Sequence, residues 1–190
     1  MKCRCCGSHL EQTFLDLGSS PPSNAYLSAA DLAGPEVWYP LQVMVCGDCR
    51  LVQTRDFTRA EDLFTEDYAY FSGFSTSWVE HCRRYVDEMV DRLGLGPDSL
   101  VVEVACNDGT LLAKFRDRGI RCLGIEPSAS TASAARELGL EVVEEFVGVD
   151  MAERLAAEGI AADLLVANNV VAHVPDIVDF VRGCGFLLSR

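Results

Sequence analysis

Positive charge is scarce in this chain: sixteen Lys and Arg stand against 29 Asp and Glu, for a formal net charge of −13. An excess of that sign repels nucleic acid phosphates and anionic membrane surfaces, so nucleic acid and membrane are both excluded as expected partners. Long apolar runs are absent too, and nothing approaches the roughly 18 residues needed to span a bilayer. The opening Met1-Lys2-Cys3-Arg4-Cys5-Cys6 lacks the apolar stretch of a secretory signal. A cytoplasmic protein is the expectation. Apolar residues are also thin between Met1 and about Thr58, a loop-rich segment punctuated by Gly18-Ser-Ser-Pro-Pro-Ser-Asn24 and Gly34-Pro35. Burial alone cannot fold such a segment, which therefore needs a staple.

Cysteine is what the chain has in its place, with nine residues. In a reducing compartment they read as thiols and metal ligands more readily than as a disulfide framework. Cys3-x-x-Cys6 and Cys46-x-x-Cys49 form two pairs 39 residues apart. Each pair can make a tight turn whose sulfurs converge on a tetrahedral metal, and zinc fits that donor set best. Four protein ligands leave no open position, so the zinc is read as structural. Disulfides or incidental thiols are the competing reading. Cys5 could replace a neighbour, His9 is a weaker substitute, and Gly47 is expected to ease the second turn.

The hydrophobic content of the whole chain, 49%, supports one good core beside this small module. Residues 1–58 are read as the zinc-binding module, 59–98 as a connecting helical segment and 99–190 as an α/β domain. In the connector, Ser77-Trp-Val-Glu80 has the form of a capping box. Trp78, Cys82, Tyr85, Met89 and Leu93 follow at helical spacing up to Gly94, and His81 falls on the solvated face. From Ser99 onward, buried strands are expected at Leu100 to Ala105, Leu123 to Ile125, Leu140 to Val143 and Asp163 to Ala167. Helices are expected at Thr110 to Arg118, Ala129 to Leu138, Met151 to Glu158 and Asp176 to Leu188. This alternation implies a parallel, Rossmann-like sheet.

Ligands in such sheets bind beyond the carboxyl ends of the strands. The first strand runs into Glu103-Val-Ala-Cys-Asn-Asp-Gly109, where Ala105 and Asn107 stand in place of the glycines of G-x-G-x-x-G and only Gly109 remains. A pyrophosphate cradle is disfavoured. Glu103 could accept a hydrogen bond from an ammonium group, as on the methionine part of S-adenosylmethionine (SAM), and Glu126 from ribose hydroxyls. Together these acids favour SAM over NAD. After the fourth strand, Asn168 and Asn169 can hydrogen-bond cofactor or substrate, and His173 is a candidate acid or base.

Read in order, these motifs resemble the zinc-containing, SAM-dependent C-methyltransferases of deoxysugar biosynthesis, which act on nucleotide-linked 4-ketosugars. The resemblance runs through Phe14-Leu-Asp-Leu-Gly18, Pro22-Ser-Asn24, Cys46-Gly-Asp-Cys-Arg-Leu-Val-Gln53 and Tyr68-Ala-Tyr-Phe-Ser72, then Asn107-Asp-Gly109, Gly124-Ile-Glu-Pro127 and Asn168-Asn-Val-Val-Ala-His-Val-Pro175. It implies zinc at Cys3, Cys6, Cys46 and Cys49, and SAM near Tyr70, the loop containing Asn107 and Gly109, Glu126 and Asn168 or Asn169. It also implies a dTDP-linked 4-keto-deoxysugar substrate with His173 near the sugar. The chemistry it implies is loss of a proton beside the ketone, followed by attack of the enolate on the methyl group. Members of that family are longer and carry a further segment that supplies the base. The chain is accordingly expected to be a C-terminally truncated, incomplete methyltransferase domain. Its fourth strand would present an exposed sheet edge to a protein partner. A non-catalytic, SAM- and zinc-binding assembly protein is the alternative expectation.

Overall fold

A computed structural model describes residues 1–24, 26–55, 57–59 and 69–188. Its N-terminal part is an antiparallel sheet of β1 (Gln12–Ser20), β2 (Tyr39–Val45) and β3 (Val52–Thr54), in the order β1-β2-β3. Breaks in register between Thr13 and Leu15 and between Asp16 and Ser19 bend β1 against β2. The core under this sheet is small. It consists of Cys3, Leu10, Met44 and Cys46 with Leu51 packed against them, while Phe14 and Leu17 stay 67% and 60% exposed. Two of the four buried residues are cysteines, so a metal has to supply what apolar burial does not.

The connector places α1 at Thr76–Leu93. Its cap is Ser75 and not Ser77: Ser75 has an extended backbone, and its hydroxyl accepts the backbone N–H of Trp78 at 3.3 Å. Both serines sit ahead of the same apolar stripe, and only the backbone distinguishes them. Gly94 ends the helix at φ 63. Cys82 and Val86 face the core as the helical period requires, whereas Leu93 is half exposed and Leu95 takes its place beyond the left-handed turn. Tyr68, from the motif Tyr68-Ala-Tyr-Phe-Ser72, lies outside the described residues.

The second sheet is entirely parallel, in the order β6-β5-β4-β7. Its strands are β4 (Leu100–Val104), β5 (Arg121–Ile125), β6 (Glu141–Val143) and β7 (Leu164–Val166). Between and after them come α2 (Thr110–Arg116), α3 (Ala129–Glu137), α4 (Val149–Ala157) and α5 (Ile177–Leu187). Alternation of β4 side chains divides the core into two layers. Val101 packs with Val86, Leu112, Phe115 and Ala135 on one face. Leu100, Val102 and Val104 pack with Met151, Leu155, Phe180 and Leu187 on the other. Covered on both faces, β4 is buried throughout, which is why it reads as an apolar run broken only by Glu103. Among the described residues β6 and β7 form the edges, and α5 leaves Val181 and Phe186 exposed. No described helix is long and apolar enough to cross a membrane.

Candidate functional site

Two hairpin knuckles bring the four cysteines together. Gly7 N–H donates to Cys3 O at 3.0 Å and Arg50 N–H to Cys46 O at 3.1 Å. The residue after each pair takes the left-handed conformation, with φ 76 at Gly7 and φ 66 at Arg50. In the second knuckle it is therefore Arg50, and not Gly47, that makes the turn. The sulfurs of Cys3 and Cys49 are 3.6 Å apart, as are those of Cys6 and Cys46, and all four lie within 4.8 Å of one another. Thiolates on a tetrahedral zinc, each at about 2.3 Å, would be about 3.8 Å apart, so the cluster fits the ion. Cys5 and His9 are outside it.

Gln53 braces the cluster from β3. Its side-chain carbonyl accepts the Arg4 N–H at 3.0 Å, and its amide donates to Cys3 Sγ at 3.3 Å. Burial pushes the Cys3 thiol up, but the backbone N–H groups of Cys6 and Cys5 and the Gln53 amide outweigh it and hold Cys3 at about 6. Cys49 moves the other way: its bond to the Leu51 backbone favours the thiolate, yet desolvation and the three neighbouring sulfurs push it up to about 12. Four close sulfurs cannot all ionise unless a cation joins them.

A cavity of about 710 Å³ opens at the carboxyl ends of β4, β5 and β7. The structure brings Tyr70, Glu103, Asn107, Glu126, Asn168, Asn169 and His173 to this one space. Gly109 does not line it. Gly109 has φ 76, and a Cβ there would lie 2.4 Å from Leu140 Cδ1 and 3.3 Å from Ala135 Cα, so its hydrogen lets α3 pack closely. Asn168, Asn169 and His173 are exposed, with His173 at the end of the 3-10 turn Val171–His173. His81 is exposed as its helical position requires, and stacks on Trp78 with ring centroids 5.1 Å apart.

A model described as a zinc binding domain matches residues 3–64, and one described as a methyltransferase domain matches residues 102–190. The chain joins a zinc-binding domain to a methyltransferase domain. It is 33% identical over 188 residues to C-methyltransferase NovU of Streptomyces niveus, covering 99% of this chain and 44% of that protein. It is also 33% identical over 96 residues to a ubiquinone biosynthesis O-methyltransferase of Methylobacterium sp. (strain 4-46), covering 46% of this chain and 37% of that one. The chain thus spans less than half the length of these curated relatives. Among solved structures it matches magnesium protoporphyrin IX methyltransferase (ChlM) from Synechocystis PCC 6803, with a TM-score of 0.47 and 17% identity over 72% of this chain and 76% of that one.

SAM and zinc are the cofactors that these two domains imply, and the cavity of the methyltransferase domain fits the first. Three acidic side chains, Glu103, Glu126 and Glu145, line it, and among the described residues no Lys or Arg does. That suits a sulfonium and an ammonium and opposes a dinucleotide's phosphates. Glu103 is 5% exposed and its Oε2 has no hydrogen-bond partner, so an acceptor awaits a donor there. Burial holds the Glu103 carboxyl well above the usual range and the charges of Asp108 and Glu126 raise it further, with the Leu112 backbone N–H opposing them. Glu126 is anchored differently: Oε2 accepts the Asn107 N–H and Oε1 the Ser128 N–H, both at 2.9 Å. Each oxygen retains a lone pair for a hydroxyl.

Several lining residues escaped the sequence reading. Glu145, Phe146 and Val147 follow β6, where the rule that nominated Glu126 would have found them. Trp78 reads as part of the apolar stripe of α1, yet it also faces the cavity. Ser23 and Asn24 arrive from the zinc-binding domain, and no spacing in the sequence foretells that. Arg4, next to Cys3, donates through its guanidinium to Thr54 O at 3.3 Å and to Ala172 O at 3.5 Å, tying the first knuckle to the turn that carries His173.

Proposed function

We propose that the chain is the zinc-bearing, cofactor-binding part of a SAM-dependent C-methyltransferase acting on a dTDP-linked 4-keto-deoxysugar. The observation that carries this reading is the convergence of Glu103, Glu126, Asn168, Asn169 and His173 on one cavity, in a chain 33% identical to C-methyltransferase NovU along nearly its whole length. When bound, SAM supplies an electrophilic methyl group. Glu126 holds ribose hydroxyls, and the unpartnered Oε2 of Glu103 takes the ammonium. Asn168 and Asn169, at the mouth beyond β7, orient the bound molecules. His173 sits at the substrate end, where an imidazole can move a proton on or off a carbon acid beside a ketone or hold the developing enolate. The zinc quartet has no open position and serves the fold, placing Ser23 and Asn24 at the cavity.

The test is transfer of labelled methyl from SAM to a dTDP-linked 4-keto-deoxysugar, by this chain alone and then together with a longer member of the same family. Turnover that falls at least about a hundredfold in His173→Ala supports the assignment. Turnover indifferent to His173 removes that residue from the chemistry. SAM binding without turnover in either arm supports the reading of a cofactor-binding assembly protein.

A further inference from the structure

Asn107 stands in a loop where a glycine-rich sequence would serve a dinucleotide, and its side chain and that of Asp108 bond the neighbouring segment 70–73. Asn107 Oδ1 accepts the Ser72 N–H at 2.8 Å, and its Nδ2 donates to Tyr70 O at 2.9 Å. Asp108 Oδ2 accepts the Gly73 N–H at 2.7 Å. Its Oδ1 accepts from Thr110, at 2.6 Å from the hydroxyl and 3.2 Å from the backbone N–H. Asn107 has φ 53, a left-handed conformation in which asparagine is tolerated and glycine is unstrained. At Gly73 a Cβ would lie 3.0 Å from both Asp108 Oδ2 and Thr110 Oγ1, so the two segments approach as closely as glycine allows. The strand-end acid completes the chain of contacts, since Glu126 holds the Asn107 N–H.

We propose that Asn107 and Asp108 are positioning residues for Tyr70: they clasp residues 70–73 to the cofactor loop, so that Tyr70 lines the cavity only while that loop is in place. The asparagine is therefore not a failed glycine. Its left-handed backbone directs the amide at two main-chain groups of the neighbouring segment, which a glycine at the same φ could not reach. Cofactor bound against Glu126 and the loop steadies the clasped segment, and the clasped segment in turn closes one wall around the cofactor. This coupling rests on the reading of the cavity as a SAM site; the clasp itself does not.

Asn107→Gly is the cleanest test, because glycine keeps the backbone conformation and the N–H to Glu126 and removes only the side chain. Amide hydrogen exchange across residues 70–74 of the full chain, without ligand, is expected to speed up about tenfold in Asn107→Gly and in Asp108→Ala, with β4 and β5 unchanged. Asn107→Asp keeps the acceptor for Ser72 and loses the donor to Tyr70 O, so its exchange should fall between. SAM should slow exchange at 70–74 in the wild-type chain, and its affinity should drop about tenfold in Asn107→Gly. Unchanged exchange at 70–74 in both Asn107→Gly and Asp108→Ala overturns the clasp. Faster exchange there with unaltered SAM affinity overturns the coupling, and a wild-type chain that does not bind SAM overturns both the coupling and the cofactor reading while the ligand-free exchange still decides the clasp.

Discussion

Glu126 Oε2 accepts the backbone N–H of Asn107 at 2.9 Å, a bond between the end of β5 and the loop after β4. The acid nominated as a cofactor contact thus also holds the cofactor loop in shape. With Oε1 on the Ser128 N–H, a 5% exposed carboxylate satisfies two main-chain donors in different turns.

Removing it therefore costs both fold and binding. Glu126→Ala should lower stability by about 2–4 kcal/mol, since two bonds to a charged acceptor disappear and buried donors are left unpaired. SAM affinity should fall by at least about tenfold. Denaturant titration and calorimetry read the two effects separately. An unaltered SAM affinity in a folded variant removes the ribose assignment.

The cysteine quartet makes a prediction with a built-in control. Metal analysis should find about one zinc per chain, and Cys46→Ser, at a fully buried ligand, should lose it together with the order of the N-terminal sheet. Cys5→Ser should keep both, because Cys5 is exposed and outside the quartet. A wild-type chain that folds fully without metal would sink the structural role.

The effect of pH follows from Glu103. Its carboxyl titrates above the ordinary 4.5 in the folded state, so the folded chain keeps a proton that the unfolded chain releases. Stability contributed by this group is therefore present at acid pH and declines as pH rises from about 4.5 towards the folded-state value. Glu103→Gln should flatten that decline and stabilise the chain at neutral pH, while weakening SAM binding. A variant with the same pH slope as the wild type would mean that Glu103 is not the group responsible.

Gly109→Ala isolates packing from ligand contact. A left-handed alanine there is strained, and its Cβ must push aside the Leu140 side chain at 2.4 Å and crowd Ala135 of α3, whose Cβ and Cα lie at 3.1 and 3.3 Å, for a loss of about 2–4 kcal/mol in thermal or denaturant unfolding. A loss in SAM affinity without loss of stability would instead restore Gly109 as a cofactor contact.

Much of the fold was legible because its signals are local. Strand β4 reads as Leu-Val-Val-Glu-Val between turn residues, and the strands and helices of the α/β domain fall on the expected segments with ends shifted by at most two residues, whereas β1 and β3 lie in a stretch that reads as loop-rich. Helix ends depend on backbone geometry more than on composition, which is why Ser75 rather than Ser77 caps α1. The same limit hid the turn-making role of Arg50, whose left-handed φ no propensity favours.

By itself the sequence determined the two Cys-x-x-Cys knuckles, the parallel α/β alternation and the acids at strand ends, because each depends on spacing within a few residues. Only the tertiary structure decided that Ser23 and Asn24 reach the cavity, that Gly109 serves packing, and that the Asn107 side chain faces the Tyr70 segment. Those facts depend on where distant pieces of chain come to rest. Hydrogen bonds such as that from Ser72 to Asn107, 35 residues apart, exist only once the two segments have been packed side by side.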